Sequence, residues 1–73
     1  MDSAAQQLSA SVAAKVRPHY QKSLKRGVET SQAYALAYDK VVELVAKSQH
    51  ISVAKARFAS REVLQEAMAL ITQ

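Results

Sequence analysis

The sequence predicts an all-α fold, a small compact bundle of three to four helices, on three observations. Turn signals are scarce, with one glycine and one proline in 73 residues. Alanine, lysine, glutamine and glutamate are abundant and favour helix at most positions. Apolar residues recur at spacings of three and four, and no run alternates strongly enough to demand a sheet. The expected helices cover about 2–16, 18–26, 31–48 and 60–72, with a short helix or turn at 52–58.

The first helix should begin after Asp2 or Ser3, whose side-chain oxygens can accept from free N–H groups. Ala5, Leu8, Val12 and Val16 form its stripe, a thin apolar face for so long a segment. Residues 1–15 are therefore expected to fray, or to order on binding. Pro18 has no backbone N–H and suits a first helical turn, so it predicts a break and a second helix. That helix places Tyr20 and Leu24 toward the core and stops at Gly27, which can take the left-handed conformation past a C-terminus. Lys25 and Arg26 then complement the negative end of the helix dipole.

The third helix carries the clearest pattern. Thr30 or Ser31 is its expected cap, and Tyr34, Ala37, Tyr38, Val41, Leu44 and Val45 share one face. Asp39, Lys40, Glu43 and Lys47 fall opposite, with Leu36 among them, so Leu36 should meet the first helix or stay exposed. After the Ser48–Ser52 interruption, one continuous helix to the end would turn the chain's only phenylalanine, Phe58, to the polar side. A break with Ser60 as cap of a last helix is expected to let Phe58 reach the core.

Composition bounds the function. At 73 residues the chain is a single domain that buries only roughly 60% of its unfolded surface. Hydrophobic residues at 49% against 22% charged supply one core and argue against general disorder. The absence of cysteine removes disulfides and thiolate metal sites and points to a cytoplasmic setting. The opening residues lack the basic start and apolar block of a secretory signal, and no segment approaches membrane-spanning length.

No catalytic constellation stands out: the acids fall where helical periodicity puts solvent, and there is no glycine-rich phosphate loop or paired nucleophile and base. His19 and His50 have no His, Cys or acid at ligand spacing, so neither a metal nor another cofactor is expected. The chain reads as a non-enzyme.

Charge is the positive signal. The net charge is +4, and residues 1–30 hold five cations against two acids, while residues 31–73 hold five against four. The excess lies in KVRPHYQKSLKRG, Lys15 to Gly27, which has no acid. Lys15, Arg17, His19, Lys22, Lys25 and Arg26 are the candidate partner-binding residues, suited to an acidic surface because cations steer acidic partners and arginine is enriched at binding hot spots. A solvated basic helix that aids solubility is the plainer reading of the same residues.

The alternative is nucleic acid. VELVAKSQHISVAKARFAS has the outline of a helix-turn-helix, with Ala46 and Ile51 where the motif wants a small and an apolar residue. Gln49 stands where an apolar contact belongs, and His50 replaces the usual turn glycine. Lys55, Arg57 and Arg61 would be the phosphate or base contacts in residues 48–60 and just beyond. In length and composition the chain resembles small phage-encoded regulators that bind a large host enzyme such as RNA polymerase. The resemblance implies a transcription regulator or inhibitor that acts by protein binding.

Overall fold

The computed structural model describes residues 3–73; the cap expected at Asp2 or from the Ser3 side chain lies outside the described part. The described residues form four helices: α1 (Ser3–Lys25), α2 (Thr30–Gln49), α3 (Val53–Ala59) and α4 (Arg61–Ile71). The fold is an all-helical bundle, as the sequence predicts.

The largest departure is α1, where one helix runs through Pro18 in place of the expected 2–16 and 18–26 pair. Its buried positions, Ser9, Val12, Ala13, Val16 and Tyr20, keep one helical phase across the proline. Pro18 sits on the opposite, exposed face, and so does Ala14, whose carbonyl loses the Pro18 partner. Water can satisfy that carbonyl, so the missing bond falls where it costs least. The continuous helix is about 34 Å long at its rise of about 1.5 Å per residue, and the molecule's longest dimension is 35 Å.

α1 ends as the glycine predicts. Gly27 takes φ +90°, its N–H donates to the Leu24 carbonyl, and the Val28 N–H donates back to Ser23 at 3.1 Å. This is a Schellman closure. Leu24, expected inside, is more than one-third exposed because it falls in the last turn beside this reversal. α2 then starts one residue before the expected 31: Glu29 is at the cap position without a side-chain bond, and its carbonyl accepts from the Ala33 N–H at 2.8 Å.

α2 buries Ala33, Ala37, Val41, Val42, Val45 and Ala46. The expected tyrosine stripe is thus turned aside: Tyr34 is 43% exposed, and Tyr38 and Leu44 are half-buried. Small side chains at 33 and 37 meet Val16 and Tyr20 of α1, and the bulkier tyrosines stay at the margin. The end of α2 repeats the Schellman pattern with histidine: His50 adopts φ 58°, ψ 42°, and the Ile51 N–H donates to Ala46 at 3.0 Å.

Ser52 caps α3 through its hydroxyl oxygen, which accepts from the Lys55 N–H at 3.1 Å. The break at Ser60 is present, giving 53–59 and 61–71 against the expected 52–58 and 60–72. Ser60 makes no capping bond with its side chain; its hydroxyl donates to Gln49 Oε1. Phe58 does not reach the core and is 82% exposed. The break interrupts the helix without rotating it, since the Ser60 N–H still donates to Ala56 and the Leu64 N–H to Ser60. Ala56, Ser60, Val63, Leu64, Ala67, Met68 and Ile71 therefore keep one buried face, and Phe58 remains opposite it.

The core lies between α1, α2 and α4, each of which packs on the other two, while α3 packs on α2 and α4. Ser9 is the buried polar residue on the α1 side, and its hydroxyl faces the carbonyls of Ala5 at 2.9 Å and, across the interface, Val63 at 3.3 Å. No helix among the described residues is long and apolar enough to cross a membrane.

Candidate binding face on helices α1 and α2

All six candidate residues of the basic stretch are exposed, but one continuous helix does not bring them together. Lys15, His19 and Lys22, spaced four and three apart, form a stripe on one flank of α1, and Arg26 extends it past the last helical residue. Lys25 lies further round the helix. Arg17 is on the other flank, where its guanidinium donates to the Gln73 carbonyl at 3.5 Å. Tyr20, the aromatic within the stretch, is 8% exposed and belongs to the core, so it offers no stacking surface.

The Lys15 stripe borders α2. Between the helices a groove of about 180 Å³ runs past Val16, His19, Ser23, Leu36 and Lys40. A second recess of about 250 Å³ is lined by Leu8, Lys15, Leu44 and Lys47 among others. Lys40 and Lys47 thus join Lys15 and His19 along the seam, and Leu36, 53% exposed, supplies an apolar wall. The sequence reading treats the two α2 lysines as a solvated face opposite the core. The available signal is Leu36 and Leu44, which flank those lysines in helical projection and mark that side as turned toward α1. Glu43 is an acid on the same side of α2.

The helix-turn-helix segment forms a corner with a different logic. Gln49, polar where the motif expects an apolar contact, binds the Ser60 hydroxyl and ties the end of α2 to the α3–α4 junction. His50 supplies the left-handed turn residue in glycine's place. α3 is seven residues long and continues in phase into α4. Of the alternative set, Lys55 and Arg61 are exposed, whereas Arg57 is drawn back onto α2: its guanidinium lies 5.5 Å from the Tyr38 ring centroid and 3.4 Å from Asp39 Oδ1. That half-exposed pair is worth at most about 1 kcal/mol after screening, but it aims Arg57 away from a ligand facing α3. Among the described residues no group of three or more His, Cys, Asp or Glu is placed to hold a metal ion.

Fold and face together define a small four-helix domain with a basic, leucine-walled seam. Comparison with protein-family models, curated proteins and solved structures returns no match.

Proposed function

We propose that the protein is a small non-catalytic regulator that acts in the cytoplasm by binding an acidic surface of a larger protein through the α1–α2 seam. One observation carries the reading: cations from two helices, Lys15, Lys40 and Lys47, with His19 beside them, border grooves walled by Leu36 and Leu44, and Lys22 continues the α1 stripe. Cations of this kind raise the encounter rate with an acidic partner, and desolvated apolar contacts supply the affinity. Burial of Tyr20 favours a protein over stacked bases at this face.

Transcription is the first setting to test, with RNA polymerase as the candidate partner. The experiment is capture of purified RNA polymerase, and in parallel of proteins from nuclease-treated lysate, on immobilised protein. Lys15→Glu, Lys22→Glu, Lys40→Glu and Lys47→Glu combined should abolish capture of the partner found, with helicity unchanged. Arg17→Glu, on the opposite flank, should leave it within about twofold, since a peripheral charge contributes little. Unchanged capture by the fourfold variant removes the seam from the interface.

A further inference from the structure

Among the described residues, Phe58 is the most exposed of the large hydrophobic side chains. It is the chain's only phenylalanine, it is 82% exposed, and it stands on a helix whose own buried residue is the small Ala56. Its nearest helical neighbours on the exposed face are Ala54 and Lys55, one turn before it, and Arg61 and Glu62, one turn after it. Alanine at 54 and at 59 leaves the ring open at its sides, and Lys55 and Arg61 bracket it about 9 Å apart along the axis. Residues 53–61 carry three cations and no acid, and Glu62 follows directly. Beside the ring, a recess of about 440 Å³ opens toward Gln49 and Arg61, with the Glu62 carboxylate on its lining as well. The Gln49 carbonyl oxygen is engaged by Ser60, which turns its amide N–H groups into the available donors there.

We infer that α3 is a stacking site for single-stranded nucleic acid, in which a base packs on the Phe58 ring and the flanking phosphates meet Lys55 and Arg61. An open aromatic face between cations is what sequence-tolerant single-strand binding uses, because every base has a π-face and every linkage a charge. A pocket of another protein is the less suited occupant. Interface cores are depleted in charge and surround an anchor with further apolar side chains, whereas Val63 is buried and the nearest exposed large apolar residue in sequence, Val53, projects from a different side of α3. The site is separate from the α1–α2 seam and does not depend on how that seam is used.

The sequence contains no tryptophan, so Phe58→Trp introduces a sole reporter at the site. Single-stranded oligothymidylate should quench its emission saturably at low salt. With labelled oligothymidylate, Phe58→Ala should weaken binding by about fivefold or more, and Phe58→Trp should preserve it. Combined Lys55→Gln and Arg61→Gln should reduce the slope of log affinity against log salt by about 1.4. Oligothymidylate affinity unchanged in Phe58→Ala, with or without binding elsewhere on the chain, overturns the proposal. So does emission from the Phe58→Trp variant that ignores oligothymidylate yet shifts to the blue with an acidic Glu/Leu peptide, which assigns the surface to protein docking.

Discussion

His50 shows how one residue can hold a turn that its chemistry does not favour. At φ 58° it occupies the left-handed region, where an L side chain costs about 1–2 kcal/mol relative to glycine, partly offset by glycine's greater freedom when unfolded. His50→Gly should therefore stabilise the protein by about 0.5–1 kcal/mol in urea titrations, and a β-branched replacement should destabilise it. The Ser60 hydroxyl is the counterpart across the corner. Ser60→Ala should cost about 1 kcal/mol, because it removes the buried hydroxyl that ties Gln49 Oε1 to the α3–α4 junction. At this scale the sequence is legible where a residue has one evident job, as with Gly27. It is less legible for Ser60 and Thr30, whose hydroxyls suggest caps but whose roles depend on which neighbour arrives in space.

The elements themselves are readable in number and kind from periodicity, and α1 and Phe58 show why the details are not. Proline interrupts a helix from within by removing one bond, but the cost depends on which face the orphaned carbonyl looks toward, and that is a tertiary property. Pro18→Ala should raise stability by about 2 kcal/mol by restoring the bond to Ala14, offset in part by a freer unfolded chain. Urea unfolding followed by far-UV circular dichroism measures it. An unchanged midpoint would mean that α1 bends at Pro18 to fit its neighbours and that the bend is needed. Phe58 departs from expectation for a related reason: a helix break need not reset the phase, and hydrogen bonds on both sides of Ser60 carry it through. The seam lysines 40 and 47 are hidden differently, because their own helix marks them as polar and only the approach of α1 makes them part of a face.

The whole molecule is stabilised by a core in which few side chains are large. Leu64, Met68 and Ile71 of α4 meet valines of α1 and α2, with alanines closing the helix contacts. A domain of this size is expected to be stable by about 4–11 kcal/mol, and truncating one buried leucine costs about 2–5 kcal/mol. Leu64→Ala should accordingly lower the melting temperature by about 10 °C or more, at roughly 4–8 °C per kcal/mol for a domain this small. The exposed Leu36→Ala should leave it nearly unchanged, which makes Leu36 the cleaner probe of the seam.

The slender attachment of α3 has a kinetic consequence. Ala56, the Ser60–Gln49 bond and the Arg57 contacts to Asp39 and Tyr38 are what tie this helix to its neighbours. Opening it exposes little apolar surface, so its local unfolding free energy should fall well below that of the global transition. Amide hydrogens of residues 56–59 should exchange with solvent far sooner than those of Val41–Val45, and Arg57→Ala should hasten them further without altering the slowest class. A segment that opens on its own can reshape around whatever settles on it, while the bundle behind it stays closed.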